Sequence, residues 1–394
     1  MTLQPLSIPD SITHIARVLE DAGYEAWCVG GSLRDSLLGY PQSDFDIATS
    51  AKPEEVQRLF PRTVAVGLKY GTVGVLDRMR VLHEVTTFRR DVLTDGRHAV
   101  VEYGVSLEED LARRDFTVNA MAYHPLRREW RDPYGGQRDI AASLIRAVGD
   151  ARERFREDYL RILRALRFSA RFNFSIEPST WEAALAETSG LAQLSAERVR
   201  DEWFKGLQTA HSIGGFASLW LRSGAARSWI PELEDGPAAQ EALPEPRTAD
   251  RDPILLTAFL TGRPSSVLRR LKASNAEIER ARRIETGPNQ PAAVDEHSIR
   301  RWLSDIGSAA DDLLSLWRMR HQAEPPWQKT VEDIRRRGDP LTRSDLAVTG
   351  SDLQALGAQG PEVGRALSLL LERVLQDPSL NTREHLLKLA RELR

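Results

Sequence analysis

Apolar and polar positions change rhythm once along this chain. Over residues 1–145 they come in short bursts with strand and helix character mixed; after about Ser143 they settle into the 3.6-residue period of helices. In the first part, Glu25–Val29 reads as a short strand broken by Gly30-Gly31, and Ser32–Leu38 as a helix ended by Gly39. Asp44–Ala48 alternates polar and apolar as a half-buried strand does, and Pro53–Phe60 reads as a helix. Val64–Val66, Thr72–Leu76 and Arg80–Thr86 are rich in β-branched residues between glycine breaks and predict a strand meander. Short elements are expected at Leu107–Leu111 and Thr117–Ala122. The second part predicts helix after helix with no alternating strand, broken near Ser189-Gly190, 243–252, Gly287–Pro291 and Glu324–Pro326. The pattern therefore predicts an α+β protein, an α/β head followed by an all-α remainder.

With 394 residues the chain is too long for one ordinary core, and 41% hydrophobic with 28% charged residues is the balance of a folded, water-exposed protein. No apolar run approaches the ~20 residues that span a bilayer, so no membrane association is expected. The N-terminus lacks the basic-then-apolar order of a signal peptide. Cys28 is the only cysteine, which excludes an internal disulfide and a thiolate metal site and points to the reducing cytoplasm. The net charge of -3 argues against nucleic-acid binding until its distribution is considered. Between Ala151 and Arg171 seven arginines face three acids.

Three constellations carry chemistry. In the first, Gly30-Gly31-Ser32-x-Arg34-Asp35 precedes Asp44-x-Asp46. A glycine pair between strand and helix lets backbone approach a ligand, and the free N–H groups of the following helix suit phosphate. Residues two apart on a strand share a face, so Asp44 and Asp46 are placed to hold a pair of Mg²⁺ ions. Alone, a glycine pair is a turn and Asp-x-Asp a solvated loop. In strand–Gly-Gly–helix–strand order they resemble the signature of polymerase-beta-type nucleotidyltransferases. A third carboxylate often accompanies such a pair, and Glu84 is the candidate, though a structural glutamate on a strand face fits equally.

The second constellation is Leu107-Glu-Glu-Asp-Leu-Ala-Arg113-Arg114-Asp115-Phe116-Thr117-Val118-Asn119-Ala120. Arginine forks match phosphate oxygens; the bland alternative is a charged helix end with local ion pairs. Asp132–Asp139 (DPYGGQRD) reads as a turn closing the head. In the third, Glu157-Asp158-Tyr-Leu-Arg161-Ile-Leu-Arg164-Ala-Leu-Arg167-Phe168, the residues Phe155, Tyr159, Ile162, Leu163, Leu166 and Ala170 form one apolar stripe on a single helix. Asp158, Arg161, Arg164 and Arg167 fall off that stripe. Such a row can read a base edge and clamp phosphates; otherwise it is a solvated face with i,i+3 pairs.

Together these motifs resemble the class II CCA-adding tRNA nucleotidyltransferases, with bacterial poly(A) polymerases as close relatives. VGGSLRDSLLG and SDFDIAT resemble the catalytic motif, EEDLARRDFTVNAMAY the ribose-and-triphosphate motif, DPYGGQRDI the hinge motif and EDYLRILRALRF the amino-acid template. The stretch GSDLQALGAQGPEVGRALSLLLERV with NTREHLLKLA resembles the tail of the CCA-adding branch. The resemblance implies a polymerase-beta-like head over 1–145, a base-reading helical neck over 146–210, and tRNA-binding body and tail over 211–340 and 341–394.

Residue by residue, the resemblance implies that Asp44 and Asp46 hold magnesium, with Glu84 as the third catalytic carboxylate. It implies that Gly30, Gly31 and Arg34 contact the nucleotide phosphates and that Arg114 binds ribose or triphosphate. Asp158 and Arg161 would pair with the base of CTP or ATP, and Arg164 and Arg167 would assist with phosphate. The segment Arg89-Arg90-Asp91-Val-Leu-Thr-Asp95-Gly-Arg97-His98 resembles the family's flexible loop, needed for the switch from C to A addition. The implied reaction is stepwise addition of CMP, CMP and AMP to the 3′ end of tRNA, by a monomer or homodimer. An A-adding specialist, a poly(A) polymerase and a catalytically dead RNA-binding scaffold are the rival readings. VGLKYGTVGVL at 66–76 stands where poly(A) polymerases carry a Gly-Arg-Arg-Phe-type segment, and no His-Asp dipeptide of a phosphohydrolase domain is present.

Overall fold

The computed structural model describes residues 6–40, 45–94, 99–240, 243–247 and 251–392. The chain forms two compact units, Met1–Glu234 and Asp235–Arg394.

The first unit opens on helix α1 (Asp10–Asp21), whose Ile12, Ile15, Ala16 and Leu19 recur at helical spacing and are buried. Strand β1 (Ala26–Val29) is buried on both faces. Helix α2 (Gly31–Leu37), strand β2 (Asp46–Thr49) and helix α3 (Pro53–Leu59) follow. Strands β3 (Thr63–Gly67), β4 (Thr72–Leu76) and β5 (Leu82–Thr87) form the expected meander. A separate hairpin of β6 (Arg89–Thr94) and β7 (Ala99–Tyr103) comes next, then helix α4 (Leu107–Ala112), strands β8 (Ala122–His124) and β9 (Glu129–Arg131), and helix α5 (Gly136–Ala141).

The main sheet has the order β3-β4-β5-β2-β1-β8-β9. β2 runs parallel to β5 and antiparallel to β1. One face packs Ile47, Val73, Val75 and Val85 against α1 and α3. The other is covered only in part, where Trp27, Val29, Ala48 and Ala122 meet Phe88 and α4 residues Leu107 and Leu111.

Helices α6 (Ala151–Glu157), α7 (Leu160–Phe172), α8 (Pro178–Ala186), α9 (Ala196–Thr209) and α10 (Ile213–Ser223) follow in this unit. Trp203 of α9 stacks on Phe216 and meets Trp220 edge-on, both from α10. The regular elements of the second unit are all helical among its described residues, from Pro237–Gln240 to Arg383–Glu392. Its last part has its own core, including Leu353, Leu370, Val374 and Leu386. No helix among the described residues is long and apolar enough to cross a membrane.

Four expectations are corrected. The helical part holds strands after all: Leu144–Ile145 pairs in parallel with Ser175–Ile176, two residues each, too short to alternate visibly. The stretch Arg89–Thr94, expected as part of a loop, is a strand paired with Ala99–Tyr103; its charges hide its alternation with Val and Leu. DPYGGQRD is not only a turn, since α5 starts at Gly136, its first N–H groups bound by Asp132. Finally, the single helix expected across Glu157–Phe168 is two. Asp158 is extended (φ -156°, ψ 102°), and its Oδ1 accepts from the Leu160 N–H at 3.0 Å, starting α7 anew.

Candidate active site

The end of β1 and the start of α2 shape one wall. Gly30 has φ +82°, a conformation that costs an L-residue strain, and a Cβ there would lie 3.1 Å from Arg114 Nη1 and 3.8 Å from Asp46 Oδ2. Glycine is thus needed for the backbone to lie beside an arginine and a carboxylate at once. Val29 pairs with Asp46 across β1 and β2, which sets Asp46 next to the glycine turn. Asp46 is exposed, and Asp44 lies outside the described residues, as do Asp95 and Arg97.

The opposite wall is α7 and the joint before it. Gly30, Gly31, Arg34, Asp46, Arg114, Asp158, Arg161, Arg164 and Arg167 line one cavity of about 550 Å³, with Asp115, Asn119, Leu160, Phe168, Arg171 and Arg198. Every nucleotide-binding candidate from the sequence is thus brought to one place. The arginine row is not a solvated face. Arg161 donates to Glu157 Oε2 at 2.7 Å and to the carbonyls of Arg154 and Arg113 at 3.0 Å each. Arg164 pairs with Asp115 at 2.7 Å and Arg167 with Glu202 at 2.5 Å. Asp158 accepts from Arg198 Nη2 at 2.6 Å.

Arg34 is buried, bonded to Asp35 and Asn119, and lies against Phe168 and Phe172, with its carbon Cζ 4.9 and 4.7 Å from their ring centres. Burial lowers its pKa, an effect Asp35 opposes. Arg114 reaches Asp110 at 3.3 Å, while its buried Nε has no hydrogen-bond partner among the described residues. Burial alone would push Asp115 up; Arg164, the Asn119 amide and the Phe116 N–H bring it down to about 2. Arg164 is raised in return, chiefly by Asp115. Asp115 and Arg164 therefore both stay charged throughout the neutral range.

Glu84 sits apart from the cavity lining. Ile47 pairs with Val85 in the parallel β2–β5 ladder, so Asp46 and Glu84, one step earlier on each strand, share the non-core face. Glu84 is exposed. Among the described residues no trio of His, Cys, Asp or Glu side chains converges. Arg89 and Arg90 mark the hairpin stem: the Arg89 N–H donates to Asp110 at 3.3 Å and Arg90 pairs with Glu102 at 2.6 Å. Asp91 is placed by backbone pairing with Val101.

Sequence reasoning passed over the residues that hold this site in shape. Asp110 accepts from Arg113 and Arg114, Asn119 bridges Arg34 and Asp115, Arg171 pairs with Asp35 at 2.9 Å, and Arg198 comes from α9. Only the position of Asp110, Asp115 and Asn119 inside a dense motif hinted at them.

Residues 26–146 match the family model described as the poly A polymerase head domain, and residues 173–236 that described as a probable RNA and SrmB-binding site of polymerase A. The chain is 36% identical over 388 residues to a CCA-adding enzyme of Latilactobacillus sakei, covering 96% of each. It is 34% identical over 408 residues to a CCA-adding enzyme of Streptococcus mutans, covering 98% of each. Among solved structures, the Bacillus stearothermophilus CCA-adding enzyme in complex with CTP aligns with TM-score 0.79 and 33% identity over 98% of both chains.

Proposed function

The chain belongs to the CCA-adding enzymes, and from that premise we propose that it completes tRNA 3′ ends in the cavity between the Gly30 turn and α7, reading CTP and ATP with its own side chains. The observation that carries the proposal is the two-ended lining of that cavity. Asp46, Gly30, Gly31 and Arg114 lie at the β1–β2 end, and Asp158 and Arg161 at the joint before α7. About 550 Å³ is within the range of cavities that take a small ligand.

The division of labour follows from donor and acceptor chemistry. An ionised Asp158 only accepts, and Arg161 only donates. Cytosine and adenine each present an exocyclic amino donor beside a ring-nitrogen acceptor, which matches this pair. Uracil and guanine present a carbonyl and a ring N–H instead and leave like against like. The Gly30-Gly31 backbone and the cations Arg34, Arg114, Arg164 and Arg167 supply the positive field for the triphosphate. The tRNA 3′-hydroxyl attacks the α-phosphorus, the bond to the bridging oxygen breaks, and diphosphate leaves. Asp46 offers exposed hard oxygens at this point, and Asp44 would join it from outside the described residues. Magnesium bound there would neutralise charge on the reacting phosphate. Glu84 is the third carboxylate of this proposal, supported by its register beside Asp46.

The neck segment 146–210 would read the base and the helices over 211–340 and 341–394 would hold the tRNA, whose binding should weaken steeply with salt. The segment Arg89, Asp91, Asp95 and Arg97 belongs to the proposal as the element that permits the change from C to A. A cytoplasmic site of action goes with it. The test is incorporation of labelled CTP and ATP into tRNA lacking its last three nucleotides. Ordered addition of C, C and A is expected, and loss of it in Asp46→Asn. An enzyme that ignores CTP and extends any RNA with A tracts would overturn the reading, as would an unimpaired Asp46→Asn variant.

A further inference from the structure

Beyond Glu84, the non-core face of the sheet is partly exposed at the β3–β4–β5 end among the described residues. Val73, Val75 and Val85 point into the core, so Gly74, Leu82, Glu84 and Thr86 belong to the other face. A Cβ on Gly74 would lie 2.6 Å from Leu82 Cδ1 and 2.7 Å from Val66 Cγ2. Glycine there lets the two side chains close over β4 from either side. The result is a continuous apolar patch, with Val66 44% and Leu82 40% exposed. Beside it, Thr72 and Thr86 share a hydrogen bond of 3.0 Å on the same face.

An exposed apolar patch beside the catalytic face calls for an occupant. The sheet order supplies it. Asp46 on β2 stands between two neighbours: β1, which ends in the Gly30 turn, and β5, which carries Glu84. The cavity lies on the β1 side, toward α7. In-line transfer needs the attacking hydroxyl opposite the leaving diphosphate. With the triphosphate on the β1 side, the attacking nucleoside comes over β5 and its base arrives on β4 and β3.

We infer that the Val66–Gly74–Leu82 patch seats the base of the RNA's 3′-terminal nucleotide, the one whose hydroxyl attacks. The inference rests on the cavity being the nucleotide site. An aliphatic surface takes any base face by apolar contact, which is non-directional. That suits a primer whose terminal residue changes at every step: the patch is indifferent to which base it carries, while Asp158 and Arg161 choose the next one.

The test uses Leu82→Ser and Val66→Ser in the full chain, with ATP as donor. The acceptors are tRNA ending in CC and the same tRNA with its last base removed. Both substitutions should lower kcat/KM for the intact acceptor roughly tenfold and move KM for ATP less than about twofold. Removing the acceptor's base should cost the natural protein a similar factor and the variants little more. Met79→Ser, in a turn residue 85% exposed outside the patch, should change neither. If Leu82→Ser lowers the melting temperature, Val66→Ser carries the test, because β3 is the sheet edge. An unchanged dependence on tRNA, or equal losses on intact and base-free acceptors, would overturn the inference. So would a change in assembly state with tRNA kinetics intact, which would mark the patch as a seat for a second copy. Asp46→Asn in parallel separates the two levels: if it remains active, the site reading fails first.

Discussion

Arg198 of α9 donates to Asp158 Oδ2 at 2.6 Å while Asp158 Oδ1 accepts from the Leu160 N–H at 3.0 Å. The carboxylate is held from both sides in one rotation. The helix break that looks like an interruption of α7 is therefore what presents Asp158 to the cavity.

Arg198→Ala should leave the chain folded and loosen base choice. The ratio of CTP or ATP use to UTP or GTP use should fall by about tenfold, and Arg198→Lys should recover part of it. Asp158→Ala and Arg161→Ala should do the same more strongly. Misincorporation kinetics with all four nucleotides decide; an equal loss for each would mean these residues bind nucleotide without reading its base.

Gly30→Ala adds a methyl group where φ is +82° and Arg114 Nη1 would be 3.1 Å away. The backbone strain is about 1–2 kcal/mol, and the methyl displaces a cation from the triphosphate end. KM for both CTP and ATP should rise by the same factor, leaving their ratio unchanged. A shift in base preference would contradict the division between phosphate and base ends.

Asp115 holds Arg164 with a carboxyl brought down to about 2, well below the usual carboxylate range. A depressed acid contributes stability above its unfolded pKa and loses it as pH falls toward the folded value. The loss should therefore fall between about pH 4 and pH 2, amounting to about 2 kcal/mol. Asp115→Asn should flatten the acid limb of a stability–pH curve measured by denaturant unfolding. It should also free Arg164 and raise KM for nucleotide at neutral pH. An unchanged acid limb would show that Arg164 does not hold the carboxyl down.

Much of this was legible before the fold, and the reasons differ by element. The β3–β5 meander could be read because β-branched residues cluster between glycine breaks. The glycine turn and Asp46 could be read because their spacing is local. The break at Asp158 could not: Ile162, Leu163, Leu166 and Ala170 continue the apolar stripe of Phe155 as if one helix ran through. Nor could the hairpin stem, where Arg89, Arg90 and Asp91 mask the strand pattern. The pairings Asp115–Arg164, Arg167–Glu202 and Asp35–Arg171 join residues far apart in sequence, and a helical wheel of α7 offers no trace of their partners.

Asp110 joins the hairpin to the nucleotide cavity. Its Oδ1 accepts from Arg113 at 2.8 Å and from the Arg89 N–H at 3.3 Å, and its Oδ2 from Arg114 at 3.3 Å. It is 1% exposed, and although burial raises its pKa, Arg113 and Arg114 hold it below the usual carboxylate range. Removing one partner of such a buried charge cluster leaves the others uncompensated, so Asp110→Ala should cost about 3 kcal/mol of stability. The kinetic effect should be selective. Arg114 would lose its anchor and the hairpin its root, so triphosphate affinity and the step from C to A addition should fail together, with tRNA held at CC. Asp110→Asn keeps the shape without the charge and should show the same order of defects in milder form. Product ladders on tRNA, read beside a melting curve, test this. Normal completion to CCA in Asp110→Ala would uncouple the hairpin from the cavity.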